Sequence, residues 1–314
     1  MRALVFTEPG RVVLRDEPAP VAAGDEVVLV VRSAGICGSE LHGFRSVGMR
    51  KPPLVMGHEF AGTTPEGRRV VVNPLASCGR CPACSGGQPQ LCPERSLIGV
   101  HRPGGFAEQV AVPVAALHEI PDAMGWTQAA LVEPLANGVH AWGLAGTPPR
   151  RCAVIGAGAI GLVCMLVARH AGCDEVVVAD PSPQRRRVAE SLGARTTDAL
   201  EPQGSFDTVF DAVGLPVTRA ASTAALRAGG TAVWLGLADS DARFDGNDLV
   251  RAEKRVLGSF AYTDAEFARA LQIAGELDLG WATDVPFEAA EPMFMDLAGG
   301  RTDVVKAVLR TEGA

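Results

Sequence analysis

The stretch from Cys152 to Asp180 constrains this chain more than any other. Cys152-Ala153-Val154-Ile155 is short, apolar and β-branched, which suits a strand buried on both faces. Gly156-Ala157-Gly158-Ala159-Ile160-Gly161 follows, then an apolar segment to His170, then a second strand-like run, Glu175 to Ala179, that ends on Asp180. In a strand–turn–helix of this kind Gly156 permits a tight turn, Gly158 lets the backbone approach a pyrophosphate, and Gly161 lets the helix pack on the strand. The helix opens at that turn, so unpaired N–H groups and the positive end of its dipole face the phosphates. Ile160, Val163, Val167 and Ala171 recur at helical spacing, and Gly172 suits a helix stop. Taken alone, G-x-G-x-x-G is weak evidence, and an ordinary glycine-rich turn of an α/β domain reads the same way. The flanking strand patterns, and an acid 19 residues after Gly161, point to a dinucleotide site formed by Gly156, Gly158, Ala159, Ile160, Gly161 and Asp180.

Asp180 also bears on which dinucleotide binds. A carboxylate at the end of the second strand accepts hydrogen bonds from the adenosine ribose and repels a 2′-phosphate, which favours NAD. Arg185, Arg186 and Arg187 lie close behind; they argue either for NADP or for a solvated helix face, and the second reading is preferred.

The chain has 314 residues, enough for two domains with sizeable cores. Its 47% hydrophobic and 21% charged residues are those of a globular protein. The net charge is −7, and no basic block stands out beyond the three arginines, so nucleic acid is not an expected partner. No apolar run approaches the ~20 residues of a membrane span, so no membrane association is expected either. The N-terminus meets Glu8, Pro9 and Gly10 too early to be a secretion signal, and a cytoplasmic protein is expected. Eight cysteines fit that compartment as metal ligands or buried thiols rather than disulfides.

Residues 1 to about 115 read as mostly β, with strand-like runs at Leu4 to Phe6, Val12 to Leu14, Val27 to Val31 and Val70 to Val72. Within them lie Gly35-Ile36-Cys37-Gly38-Ser39-Glu40-Leu41-His42 and Gly57-His58-Glu59-Phe60. A Cys, a His and a Glu form a mixed set that zinc accepts. Each also has a plainer explanation, Cys37 as a buried thiol and His58-Glu59 as a surface pair. Cys78, Cys81, Cys84 and Cys92 give C-x2-C-x2-C-x7-C in a loop rich in Gly and Pro. Four neighbouring thiolates indicate a closed tetrahedral zinc site. An iron–sulfur centre is a rival, although bacterial runs of that type space the fourth Cys more closely, and a disulfide framework is the third reading. Gly104 to Glu108 and Val110 to Val112 return to a strand pattern. Proline disfavours helix in the residue before it, so Glu133 is expected where one helix stops, with a second from Leu135 to Leu144 and Pro134 at its first position. A carboxylate there suits an interdomain cleft, or is simply a charged residue at a helix end.

These motifs together resemble the zinc-dependent medium-chain dehydrogenase/reductase (alcohol dehydrogenase) family. The nearest branch is the one containing sorbitol, threonine and polyol dehydrogenases. The matching residues are Gly35 to Ser39, His42, Gly57 to Glu59, the cysteine quartet, Gly104 to Glu108, Glu133-Pro134-Leu135 and Gly156 to Gly161. The resemblance implies an α/β protein with a GroES-like, mostly-β catalytic domain over 1–134 and 264–314. A doubly wound Rossmann NAD-binding domain covers 135–263. It assigns Cys37, His58 and Glu59 to a catalytic zinc, with Glu133 as a fourth ligand or the holder of a zinc-bound water, and Cys78, Cys81, Cys84 and Cys92 to a structural zinc. Ser39 would take the substrate proton and His42 pass it to solvent, a role suited to histidine. The corresponding activity is NAD-dependent oxidation of a secondary alcohol or polyol, or the reverse ketone reduction, by a homodimer or homotetramer associating near Trp234 to Val250. A zinc-free quinone or enoyl reductase and a non-catalytic NAD(H)-binding protein are the alternatives. One departure stands out. The connection Ala61 to Arg69 is shorter than the family's and puts closure of the first domain's barrel in question.

Beyond Asp180 the βα alternation continues with strands at Ser205 to Asp211 and Thr231 to Leu235 and a helix at Val217 to Arg227, which argues for a parallel, doubly wound sheet. Val213 and Leu237, at strand ends, are further cofactor-binding candidates. Val256 to Phe260 reads as that sheet's last strand. Thr263-Asp264-Ala265-Glu266 is a capping box opening a helix with Phe267, Ala270, Leu271 and Ala274 on one face. By resemblance, Val304 to Leu309 supplies a final strand to the catalytic domain. Phe44 and Phe106 are candidates for the substrate-pocket lining.

Overall fold

In the computed structural model, which describes residues 1–146, 150–201 and 204–311, the chain divides into two units, Met1–Glu133 with Thr263–Ala314, and Pro134–Tyr262. The strand Glu26–Gly35 is the axis of the first unit. Its Leu29 and Val31 point into the core while Val30 between them is exposed, the period-two signature of a half-buried strand. Along one edge it pairs antiparallel with Glu59–Thr63, and the register breaks at a bulge between Val31 and Ser33. That bulge sets Gly35 opposite Glu59. Along the other edge it pairs with Gln109–Pro113 and, through Ser33 to Gly35, with Ala307–Arg310. Strands Arg69–Val72, Leu117–Glu119 and Thr283–Pro286 complete this seven-stranded sheet. Its core gathers Leu29, Met56, Phe60, Val70, Phe106, Phe287 and Phe294.

The short connection after Glu59 is a tight hairpin. Ala61, Gly62 and Thr63 pair directly with Val71, Val70 and Arg69. The turn closes through Thr64 N–H to Arg68 O at 2.9 Å and Gly67 N–H to Thr64 O at 2.9 Å, with Gly67 at φ +84. The sheet continues from this hairpin into Leu117–Glu119, so the shortened segment removes chain without interrupting the pairing.

Other expectations are corrected in detail. Gly104 to Glu108 is largely irregular and makes a single isolated bridge, Ala107 to Ala3. The final strand is Ala307–Arg310, shorter than Val304 to Leu309, and Lys306 falls just before it. The helix expected from Leu135 starts at Val132 and runs Val132–Leu144, so Glu133 and Pro134 lie inside its first turn. Proline is tolerated there because a first-turn N–H has no intrahelical acceptor to lose. Phe44 and Phe106 are buried core residues, Phe44 edge-on to Phe294 at 5.2 Å, and neither is available to line a pocket. The capping box forms, with Thr263 Oγ1 accepting from Glu266 N–H and Glu266 Oε2 from Thr263 N–H. It opens the helix Asp264–Ala274, which buries Phe267, Ala270, Ile273 and Ala274, while Leu271 is half-buried.

The second unit holds a six-stranded, all-parallel sheet. Its order is Arg195–Thr197, Glu175–Ala179, Arg151–Ile155, Phe206–Asp211, Leu226–Trp234, Arg255–Gly258. In order of appearance this is 3-2-1-4-5-6, with the switch point between the first and fourth strands, where such sheets bind ligands. The helix Ala159–His170 is buried continuously from Gly161 to Ala168, more completely than an amphipathic stripe requires. Among the described residues no helix is long and apolar enough to cross a membrane.

Candidate metal centre and dinucleotide site

Sheet register builds the first cluster. Gly35 faces Glu59 across the ladder, and Cys37 follows two residues after the strand turns away. Cys37 caps the short helix Gly38–Gly43, and His58 leads into Glu59–Thr63. One ligand atom from each of Cys37, His58 and Glu59 lies within 4.8 Å of the others. The loop carrying His58 is clamped from behind, because Gly104, Gly105 and Phe106 donate N–H groups to the carbonyls of Val55, Gly57 and Met56 at 2.8–2.9 Å. Gly57 has φ +95, and a Cβ there would come within 2.5 Å of the Phe106 ring, so only glycine fits this turn.

Two charged residues that the motifs did not single out complete the cluster. Glu40 has no exposed surface. Its carboxylate accepts from Cys37 N–H at 3.0 Å, Gly57 N–H at 3.0 Å and His58 Nδ1 at 2.8 Å. Holding the proton on Nδ1 leaves Nε2 as the lone-pair nitrogen, the arrangement of a metal-bound histidine. Burial pushes the Glu40 carboxyl up, but His58, Arg50 and the Cys37 N–H more than offset that and hold it below the usual carboxylate range. Lys306, 2% exposed, donates to Ile36 O at 3.0 Å and is paired with Glu59 Oε2. Burial opposes its charge, yet Glu59 and Cys37 raise its pKa. Burial likewise opposes a charged His58, and Glu40 and Cys37 overcome it, raising its pKa well above the ordinary value. A field that favours a proton at that ring also favours a divalent cation. The donor set of one thiol, one imidazole and one carboxylate fits zinc in an open site. Glu133 is 7% exposed and stands outside this set of three.

Glu40 was within reach of sequence reading, as an acid three residues after a helix-capping Cys37 in a segment already marked as functional. Lys306 carries no local signal, because its partner Glu59 is 247 residues away in sequence. Ser39 and His42 lie on the helix Gly38–Gly43, both exposed in this unit. Arg50, 5% exposed, donates to Ser39 O and Ser39 Oγ, both at 3.1 Å.

The second cluster is the loop bracketed by the two-residue strands Leu75–Ala76 and Ser96–Leu97. All eight cysteines are free thiols, and the sulfurs of Cys78, Cys81, Cys84 and Cys92 lie within 4.8 Å of one another. Cys81 and Cys84 are 3.5 Å apart, Cys78 and Cys84 4.0 Å. Four thiolates around one zinc at ~2.3 Å stand about 3.8 Å apart, so this spacing fits a single tetrahedral ion and not a cluster of several irons. The N–H groups of Arg80 and Cys81, aimed at Cys78, lower its thiol to about 7, whereas Cys81 rises to about 11, its backbone hydrogen bond with Cys84 outweighed by burial and the sulfurs of Cys84, Cys78 and Cys92.

In the second unit the glycine loop stands at the carboxyl end of the first strand. Gly156 has φ +95 and packs against Val213, and a Cβ on Gly161 would come within 1.7 Å of Gly156 O. A Cβ on Gly158 would meet nothing within 4 Å, so the backbone there is open to an approaching pyrophosphate. Ala159 and Ile160 form the first turn of the helix. Asp180 is buried. Its carboxylate accepts from Ala157 N–H and Ser182 N–H, both at 2.8 Å, tying the second strand's end to the glycine loop. Arg186 folds back on Asp180 O at 2.7 Å, while Arg185 and Arg187 are exposed. Across the switch point Asp211, fully buried, accepts from Val213 N–H and Gly214 N–H at 2.9 Å and from Thr218 Oγ1 at 3.0 Å. Leu237 is 83% exposed.

A Rossmann sheet with an open glycine loop, and a GroES-type sheet with an N/S/O donor set, define a class: dehydrogenases that pair a metal ion with a dinucleotide. The comparisons agree. Residues 23–122 match the alcohol dehydrogenase GroES-like domain, and residues 159–276 the zinc-binding dehydrogenase family. An L-galactonate-5-dehydrogenase of Escherichia coli K12 is 33% identical, with 98% of each chain covered. A D-altritol 5-dehydrogenase of Agrobacterium fabrum is 33% identical over 82% of this chain and 84% of its own. The structure of a zinc-binding dehydrogenase from Sinorhizobium meliloti bound to NADP superposes with a TM-score of 0.92 at 30% identity, covering 98% of both chains. The chain belongs to the zinc-dependent medium-chain dehydrogenase/reductase family, that of the alcohol and polyol dehydrogenases. It is an oxidoreductase of small-molecule alcohols that uses zinc and a nicotinamide dinucleotide.

Proposed function

We propose that this enzyme oxidises a secondary hydroxyl of an open-chain polyol or sugar acid with NAD, or reduces the corresponding ketone, as a cytoplasmic homodimer or homotetramer. The observation that carries the reading is the convergence of Cys37, His58 and Glu59, backed by Glu40 and Lys306. The substrate class is taken from the two relatives, whose names place their action at position 5 of L-galactonate and of D-altritol. Cys37, His58 and Glu59 would hold the catalytic zinc, with Glu133 a candidate for a further ligand. Bound there, zinc supplies Lewis-acid polarisation of the substrate hydroxyl. NAD supplies the hydride acceptor. Cys78, Cys81, Cys84 and Cys92 would hold a second, structural zinc.

The chain's own residues then have separable tasks. Glu40 keeps His58 in one tautomer and one orientation. Arg50 occupies a lone pair of Ser39 Oγ, which fixes the hydroxyl where it can take the substrate proton. His42, one helical turn along and exposed, passes the proton to solvent. Gly156, Gly158 and Gly161 shape the pyrophosphate turn, and Val213 and Leu237 flank it at the neighbouring strand ends. Asp180, anchored by two backbone N–H groups, would meet the adenosine ribose. Arg186 is already engaged with backbone carbonyls and offers less to a 2′-phosphate, which is why NAD is preferred here although the Sinorhizobium relative binds NADP.

The test is a set of initial rates on alditols and aldonates, with NAD and with NADP, alongside zinc analysis of the same sample. The expected result is two zinc ions per chain and a higher kcat/KM with NAD on one group of acyclic polyols or sugar acids. Turnover of none of them, or NADP equal to NAD, would overturn the assignment.

A further inference from the structure

Three of the eight cysteines have no part in either metal-ligand set: Cys152, Cys164 and Cys173. Cys164 is 2% exposed in the helix Ala159–His170, and burial alone pushes its thiol up to about 12, so it is inert. Cys152 and Cys173 are different, because their sulfurs are 3.3 Å apart. Cys152 is the second residue of the first strand, Arg151–Ile155, and has no exposed surface. Cys173 lies half-buried at the amino-terminal edge of the same sheet.

Rigid elements hold both residues. The helix before Cys173 ends through Gly172 in the left-handed region, φ +86, and Cys173 N–H returns to Ala168 O at 3.0 Å. Two residues later Glu175 N–H bonds Arg150 O at 3.0 Å and locks the second strand against the first. A cavity of 250 Å³ opens beside Cys173, lined by Arg169, Asp174, Glu175, Gly193 and Arg195. It is wide enough for a small oxidant, and it is bordered by two guanidiniums and two carboxylates. Cys173 lines this cavity and its Sγ donates to Cys152 Sγ, while Cys152 has no exposed surface, so Cys173 is the sulfur that meets an oxidant and Cys152 its buried partner.

We propose that Cys152 and Cys173 form a thiol pair that a hydroperoxide oxidises to a disulfide. In the first step Cys173 Sγ attacks the distal peroxide oxygen. An S–O bond forms, the O–O bond breaks, and the leaving oxygen takes a proton to give an alcohol, or water where the oxidant is hydrogen peroxide. In the second step Cys152 Sγ attacks the Cys173 sulfenic acid. The S–S bond forms, the S–O bond breaks, and hydroxide leaves with the Cys152 proton as water. The two thiols lose two electrons and the peroxide gains them. The closed loop encloses Gly156 to Gly161 and the whole helix Ala159–His170, so the bond staples the base of the dinucleotide unit without occupying its mouth.

The experiment uses zinc-loaded, full-length enzyme exposed to a slight excess of hydrogen peroxide. Remaining thiols are alkylated under denaturing conditions, and the peptides are mapped after trypsin and chymotrypsin, which separates Cys152 from Cys164. The expected result is a dithiothreitol-sensitive link between the peptides carrying Cys152 and Cys173, absent in Cys173→Ser. In Cys152→Ala, Cys173 should instead accumulate as a dimedone-reactive sulfenic acid. Full alkylation of both thiols in peroxide-treated wild type, or a link from Cys173 to any other cysteine, would overturn the proposal, and neither outcome depends on a variant folding.

Discussion

The two candidate metal-ligand sets of the first unit are built in opposite ways. Cys78, Cys81, Cys84 and Cys92 come from one loop closed by a pair of two-residue strands. The helix inside it, Pro82–Ser85, buries none of its residues. Apart from Cys92, which is fully buried, the lobe has little apolar interior, so an ion at its centre would take the place of a core. Cys37, His58 and Glu59 come from separate strand ends, and Lys306 from near the end of the described chain. They are positioned by a ladder register and a buried cluster around Met56, Phe60 and Phe106, that is, by backbone pairing and apolar packing. Removing metal should therefore unfold the first and only disable the second.

The largest expected effects break or establish that contrast directly. His58→Ala should give a protein with native circular dichroism, one zinc per chain fewer and activity at background. Cys92→Ser should instead express poorly or aggregate, because a structural thiolate set contributes directly to folding. Zinc content, activity and circular dichroism on both variants decide the matter. A folded, active Cys92→Ser enzyme would show that the lobe does not depend on its ion.

Next in size is Glu40→Gln, which keeps the shape of the side chain and removes its charge. Partners that orient a metal-bound histidine are typically worth about 10–100-fold in metal affinity or activity. Competition with a chromophoric zinc chelator should show a loss in that range at the mixed site and none at the cysteine lobe. Unchanged affinity would mean that Glu40 caps the helix and nothing more.

The same contrast governs what could be read from the sequence. The cysteine quartet and the glycine loop declare themselves because their geometry is local and spacing alone carries it. Cys37, His58 and Glu59 were legible only as members of a motif set, and what holds them was half visible. Glu40 lies in the marked segment, but Lys306 meets Glu59 only through strand pairing between distant parts of the chain. Helix limits near Glu133 were misplaced because proline rules describe the average first turn, and here Pro134 sits two positions further in. The sequence offers Phe44 and Phe106 as candidates for a pocket lining. Burial, which follows from the fold, sends both to the core. The short connection after Glu59 puts barrel closure in question on sequence alone, yet a glycine turn lets the flanking strands pair directly.

Proton exchange sharpens the comparison further, since the mixed site must pass protons to solvent and the lobe need not. His42→Ala should lower kcat by about tenfold, less than the ~100-fold or more of a group that takes the substrate proton itself, with zinc content unchanged. Imidazole added to the assay should restore part of the rate. If the variant turns over normally, His42 is a surface residue and Ser39 delivers its proton by another route.

The smallest effect tests sign rather than size. Lys306 is a buried cation beside Glu59 and close enough to Cys37 to be raised by its charge. In the zinc-free protein it balances those anions. Lys306→Met would leave Glu59 buried and uncompensated, at a cost of about 3 kcal/mol in stability to denaturant. When zinc is bound the balance reverses, because a lysine ammonium next to a divalent ion repels it. The variant should then bind zinc more tightly, by at least about tenfold, because even in bulk water two unit charges ~4 Å apart interact by about 1 kcal/mol and zinc carries two. Urea denaturation of the zinc-free protein and chelator competition on the loaded one measure the two halves separately. Lower stability together with tighter zinc is the expected pair, and Lys306→Arg should restore both toward wild type. Weaker zinc binding in Lys306→Met would mean that the lysine serves the bound state by holding Glu59 in position, so that the frame and the ion support each other in this site as well.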